Sequence, residues 1–131
     1  MRHHISRLGK LVALLALALL LAAPAWAGGH AHPEKYYQAI WCAQNGGQLE
    51  VVLKDGSRCD CLTASHAVEF DFGKKWAESV GQALNYARQT NRRAGVVLIL
   101  EKPQEKIGVE RVQAIAQHYK LPLDVWTMEV K

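Results

Sequence analysis

Beyond its first 27 residues the sequence has almost no net charge. That opening stretch holds Arg2, Arg7 and Lys10 and no acid, so of 16 Lys and Arg in the whole chain 13 remain, against 12 Asp and Glu. A near-neutral domain has no global field to gather nucleic acid, and any such binding must come from a local patch. Internal repeats are absent, and so is low-complexity sequence beyond the opening stretch, which excludes a repeat array. Cysteine is scarce and odd in number, with Cys42, Cys59 and Cys61 the only three, so one thiol stays unpaired or free for a partner. The uncharged run from Leu11 to Ala23 is shorter than the roughly 20 apolar residues that span a bilayer, which argues against a retained anchor.

What is there at the start is a leader. Basic residues precede the apolar run, and Ala25-Trp26-Ala27 offers small residues at the two positions a signal peptidase reads, so residues 1–27 are expected to be a signal peptide cleaved after Ala27. The expected location is periplasmic or secreted, with no stable membrane span after cleavage. The remaining residues suffice for one domain and are too few for two ordinary ones. Export permits a disulfide, and Cys42 is expected to bridge to Cys59 or Cys61, which as neighbours two apart on a strand point the same way and make an awkward pair with each other.

Residues 28–32 read as a flexible lead whose His30 and His32 could hold a metal but are more simply solvated, and the domain proper as 33–131. Pro33 and Glu34 suit a helix start, Tyr37, Ile40 and Trp41 recur at helical spacing, and Asn45-Gly46-Gly47 stops the helix. Leu49–Leu53 and Ser57–Leu62 read as a hairpin about Lys54-Asp55-Gly56. His66 to Phe72 alternates with period two, placing Val68, Phe70 and Phe72 on one side and Ala67, Glu69 and Asp71 on the other. A helix to about Gln89 follows, with Trp76, Val80, Ala83, Leu84 and Ala87 as its buried stripe. Ala94–Leu100 has no polar face and should be an interior strand. Val109, Val112, Ile115, Ala116 and Tyr119 mark a last helix, and Leu123–Val130 a last strand. The order implies an α/β fold with a mixed central sheet flanked by helices.

The chemistry concentrates between Gly56 and Tyr86. Asp60 lies on the returning hairpin strand and Glu69 and Asp71 on the next; adjacent strands bring such carboxylates within a few ångströms, a hard oxygen set suited to Mg2+ or Mn2+. Gln82 and Tyr86, four apart, share one side of the helix that follows and can reach a phosphate or a ligand carboxylate. The plain alternative is an acidic solvated strand face, with Gln82 in water and Tyr86 bordering the core. His66, opposite Glu69, reads as a structural histidine, and His118 as a favourable cation at a helix end. A zinc set of Cys59, Cys61 and His66 would need reduced cysteines and a fourth ligand.

In order and placement, Glu34, Gly46-Gly47, Asp60, Glu69-Phe70-Asp71 and Gln82-Ala-Leu-Asn-Tyr86 resemble the PD-(D/E)XK nuclease superfamily, in particular the branch of resolvases and exonucleases with a Gln-x-x-x-Tyr helix. The resemblance runs from about Pro33 to Leu100 and implies a restriction-endonuclease-like αβββαβ core, here followed by a further helix and strand. It implies catalytic roles for Glu34, Asp60, Glu69, Asp71, Gln82 and Tyr86, metal ligation by Asp60 and Glu69 with Asp71 as a third acid, Mg2+ or Mn2+ as the ion, and DNA as the substrate. Related nucleases often dimerise, and no self-complementary patch picks out a homodimer here. The departure is at Asp71, which stands where the superfamily has lysine. Lys74, Lys75 or Arg58 would then have to supply the cation, or the domain is an inactive nuclease fold used for binding or structure. Arg92 and Arg93 complete the basic residues that could meet phosphates.

Overall fold

The computed structural model describes residues 29–131, so the expected leader lies outside the described residues. The chain is α/β, in the order α1 (Glu34–Gln44), β1 (Gln48–Val52), β2 (Arg58–Leu62), β3 (His66–Phe72), α2 (Trp76–Thr90), β4 (Arg93–Leu100), α3 (Lys106–His118) and β5 (Leu123–Glu129), with short 3-10 turns at Gly73–Lys75 and Pro103–Glu105. The five strands lie side by side in chain order. β1, β2 and β3 are antiparallel, because a hairpin and a short turn join them, whereas α2 and α3 carry the chain back to make β3, β4 and β5 parallel.

Sequence pattern explains the layers. Ala94 to Leu100 is buried throughout, as an all-apolar strand in mid-sheet must be. Val96, Leu98 and Leu100 pack against Ala83, Ala87 and Val112, with Trp76, Val80 and Leu84 around them, so the whole stripe expected of α2 meets the sheet. On the opposite face Val97 joins Phe70, Val68 and the Cys42–Cys61 region, and Ile99 joins Phe72 and Tyr37 under α1. Tyr119 departs from expectation: it is 68 % exposed. The helix ends at His118 and the chain turns through Lys120 at φ 51°, so helical periodicity no longer governs position 119.

Cys42 is bonded to Cys61, across a separation of 19 residues, and Cys59 is a buried free thiol. This removes the zinc set, since Cys61 has no thiolate to offer. It also corrects the orientation expected of the pair. Cys61 packs with Cys42 and Phe70 under α1, but Cys59 packs with Ala67 and Tyr86 beneath α2. β2 therefore loses its alternation at Asp60, and opposite it Glu50 sits at φ 55°, a left-handed conformation rare for a residue with a side chain. Gly47 is required beside the bridge, because a Cβ there would stand 2.4 Å from Cys61 Sγ and 2.8 Å from Cys42 Sγ. Burial pushes the Cys59 thiol up to about 11, which keeps it neutral and unreactive.

Candidate active site

The site forms where β3 loses its neighbour. β3 pairs with β4 over seven registered residues but with β2 over only two, Cys61 with Val68 and Leu62 with Ala67. Beyond them the ladder stops, and backbone donors of β3 that a longer β2 would have paired need other acceptors. Side chains provide them: Asp60 Oδ2 accepts from Phe70 N at 2.8 Å, and Asp71 Oδ1 from Phe72 N at 2.9 Å. Because the sheet is parted here, groups from both of its faces reach one place. Glu34 arrives from the first turn of α1 and interacts with Asp60 and Asp71, while the Tyr86 hydroxyl arrives from α2 against Glu69.

The electrostatics are those of crowded acids. Glu69 is 5 % exposed and Asp71 4 %. Burial first, and then the charge of Asp60, push Glu69 up to about 9. Glu34 is raised to about 7 by burial, then by Asp60 and Asp71, against the opposing pull of the Gln38 amide and Lys75. Asp71 rises to about 6 through burial, although Lys75 and the Phe72 N–H hold it back. Asp60 is raised too, mainly by burial, and Tyr86 by burial and the adjacent Glu69. Like charges this close cannot all ionise without a cation or a shared proton. Glu69 Oε2 is buried without a hydrogen-bond partner among the described residues.

Five of the six residues singled out for catalysis, Glu34, Asp60, Glu69, Asp71 and Tyr86, lie within electrostatic reach of one another. Gln82 is exposed at the margin, and its Oε1 accepts a long 3.4 Å hydrogen bond from the Tyr86 hydroxyl. Among the candidate cations Lys75 stands nearest, its Nζ 4.0 Å from Asp71 Oδ1. Arg58 is paired with Glu50 at 3.1 Å instead. Arg92 donates to the Thr63 carbonyl, and Arg93 grips Asp124 through two hydrogen bonds of 2.9 and 3.0 Å. Arg93 is in register with His66 and Leu98 with Asp71, so about 16 Å of strand separates Arg93 from Asp71 and it does not border the cleft.

Two neighbours were missed in the sequence. Gln38 is buried and its Nε2 donates to Glu34 Oε1 at 2.9 Å, fixing that carboxyl, and Lys35 exerts a favourable charge on Asp60. The i, i+4 spacing of Glu34 and Gln38 was the available signal. Nothing local distinguished Lys35 from an ordinary surface lysine. His66, read as a satisfied histidine, bridges Ser65 Oγ at 2.8 Å and Asp124 Oδ2 at 2.7 Å. His118 packs edge-on to Tyr119 at the end of α3.

The donor set is chemically right for a hard divalent ion, with carboxylate oxygens from two strands, one of them orphaned. Its spacing is looser than a finished cage: among the described residues no three His, Cys, Asp or Glu side chains are gathered closely enough to hold a metal as they stand. Surface cavities also lie elsewhere, one beside Glu101, Lys106 and Glu129 and another beside Trp41, His66 and Trp126. Compared with known proteins, the chain matches no family model, no curated protein and no solved structure.

Proposed function

We propose that this chain is an exported, metal-dependent nuclease-like protein that hydrolyses DNA phosphodiesters, built on a restriction-endonuclease-like core of the PD-(D/E)XK type. The observation that carries the reading is the convergence of Asp60, Glu69, Asp71, Glu34 and Tyr86 at the parted edge of β3, with Lys75 alongside. Export is supported by the leader and by the Cys42–Cys61 disulfide, and among the described residues no helix is long and apolar enough to cross a membrane.

Asp60 and Glu69 would hold Mg2+ or Mn2+, with Asp71 as a third acid. The bound ion would act as a Lewis acid on the phosphodiester and lower the pKa of its water. The chain's own groups do the rest. Lys75 supplies, from the turn after β3, the positive charge that Asp71 fails to supply from within it. Gln38 orients Glu34, whose raised affinity for a proton suits it to take one from water near neutral pH. Tyr86 can donate to Glu69 or to a phosphate oxygen, and exposed Gln82 lies where substrate would approach.

A second reading, an inactive nuclease-fold domain that binds or braces, is favoured by three features. Asp60 is committed to the Phe70 N–H, the acids form no ready cage, and Asp71 replaces lysine. Cleavage of linear, circular and branched DNA with Mg2+ or Mn2+ separates the readings. Activity abolished by Asp60→Ala and cut at least about 100-fold by Lys75→Met would uphold the first. An inert parent with an active Asp71→Lys variant would mean that the geometry survives and the chemistry is gone. If parent and variant are both folded and inert, the binding reading stands.

A further inference from the structure

The sheet face beneath α1 carries a second recess, away from the acids. Among the described residues α1 is the only helix on that face, since α2 and α3 pack on the other. No helix follows it toward β5, and Trp126 and Met128 stay only partly buried there. Trp41 of α1, Trp126 of β5 and the turn from Thr63 to His66, with Asn45 at the helix end, enclose a cavity of about 220 Å³. Gly95 of β4 gives the Trp126 indole its room, because a Cβ there would stand 2.9 Å from Cζ3. The two indoles meet at 5.3 Å and 51°, and the His66 imidazole stands edge-on to Trp126 at 5.1 Å.

Three properties narrow what this recess can hold. Its size, below the roughly 300–1,000 Å³ of sites for drug-sized molecules, suits one ring system. Its charge is already spent: Asp124 accepts from His66 at 2.7 Å and from Arg93 at 2.9 and 3.0 Å, so a neutral ligand is favoured over an ion. Its hydroxyls are spent as well, with Thr63 Oγ1 accepting from His66 N at 3.0 Å and Ser65 Oγ meeting His66 Nδ1 at 2.8 Å. A sugar would need such groups for its own hydroxyls, whereas a flat heterocycle needs chiefly an aromatic face to stack on. For the edge of such a ring there is Asn45, which uses Nδ2 on the Trp41 carbonyl at 2.8 Å and keeps its Oδ1 as an acceptor.

Shared residues join the recess to the acids. Glu34, Gln38 and Trp41 succeed one another at i, i+4 and i+7 on one side of α1, which sets Trp41 about 10 Å from Glu34 along the helix axis. Phe70 meets the Trp41 ring at 5.6 Å and 77°, while its N–H is held by Asp60. Ten ångströms is about three nucleotides at the 3.4 Å spacing of one strand. We propose that the cavity is a stacking subsite for one unpaired nucleobase of a DNA strand whose phosphate lies at the acids. The preferred substrate then carries an unpaired end or loop, because a base inside a duplex has both faces covered and cannot enter. The link to the acids rests on the nuclease reading; the binding of a base does not.

The test is a titration of the protein in excess chelator, so that nothing is cut, followed by the indole N–H resonances in nitrogen-15 NMR. A single-stranded thymidine hexanucleotide should move Trp41 and Trp126 and leave Trp76, packed on the opposite face, in place. An abasic strand with the same phosphates, and a blunt duplex, should move neither. Trp126→Ala should weaken the hexanucleotide about 5- to 100-fold, the worth of one stacked base. Ala64 is exposed at the rim, so Ala64→Phe fills the mouth without touching the core and should weaken it as much. Shifts that the abasic strand reproduces, no shift with the hexanucleotide, or tighter binding of N-acetylglucosamine at the same resonances would each overturn the subsite. Thymidine alone should need a higher concentration; if it binds as tightly as the strand, the site serves free nucleosides and the link to the acids is overturned. A chain that binds the strand as expected but never cleaves DNA keeps the base site and loses the nuclease reading, whereas an active nuclease whose Trp126 does not respond does the reverse.

Discussion

β3 has two edges that behave as different materials. Toward β4 it is zipped over seven residues, its backbone satisfied by backbone and its neighbours apolar on both faces. Toward β2 it is paired over two and then abandoned, and carboxylates stand in for the missing strand. The closed edge gains from burial and spends nothing on charge. The open edge holds acids that burial forces toward protonation, an arrangement that costs stability until a proton or a cation arrives. Stability and chemistry are thus divided across the width of one strand.

Damage to the closed edge should be the most costly. Leu98 is fully buried among Val96, Ala83 and Val112, and Leu98→Ala should lose about 4 kcal/mol in urea unfolding, with or without Mg2+. A loss below about 1 kcal/mol would show that this edge is not the stable one. Next comes the bridge that ties α1 to β2 just before the strands part. Replacing Cys42 and Cys61 together by Ala should cost about 3 kcal/mol, the loop-closure effect of a separation of 19 residues, and an equal midpoint for the oxidised and substituted proteins would refute it.

At the open edge the sign reverses. Glu69 holds its proton more tightly folded, to about 9, than the ordinary 4.5 of the unfolded chain. Its contribution to stability is fully present below 4.5 and is lost as pH rises through 9. The metal-free protein should therefore weaken between those limits, with Glu34, raised to about 7, adding to the slope in its lower half. Glu69→Gln should match the parent near pH 4 and exceed it by about 1–3 kcal/mol at pH 9, as read from paired urea titrations. Divalent ion, which binds the ionised acids, should rescue the parent at high pH and leave the variant largely unchanged. A parent whose stability is flat from pH 4 to 9 would mean that the acids are not crowded.

These edges were unequally legible in the sequence. The period-two run of His66 to Phe72 gave β3 to the residue, and the polarity-free run through Leu100 announced β4, because burial on one or both faces leaves a direct trace in composition. That Glu69 and Asp71 share a face followed from the same alternation. The parting of β2 from β3 did not, since it depends on Asp60 replacing a backbone partner and on Glu50 adopting a left-handed conformation, and neither residue type advertises that. The orientation of Cys59 went astray for this reason. Lys75 could be named as one cation of several, but only the turn at Gly73–Lys75 brings it to Asp71.

The smallest effect should come from the far end of β3, where charge is plentiful but no strand is missing. Asp124 accepts from Arg93 twice and from His66 once, and these partners, Arg93 foremost, hold its carboxyl down to about 2. A depressed carboxylate contributes stability above its unfolded value of 3.8 and loses it as pH falls through 2, the opposite of Glu69. Its side chain is 41 % exposed, so water screens most of the gain. Asp124→Asn should cost no more than about 1 kcal/mol at pH 7 and nothing at pH 2. It should also leave any metal response untouched, because strand register holds His66 and Arg93 five residues from Asp71, and Asp124 lies on β5, two strands from β3. A larger cost, or a changed response to Mg2+, would mean that the two ends of β3 are coupled, and the division between its edges would have to be redrawn along its length.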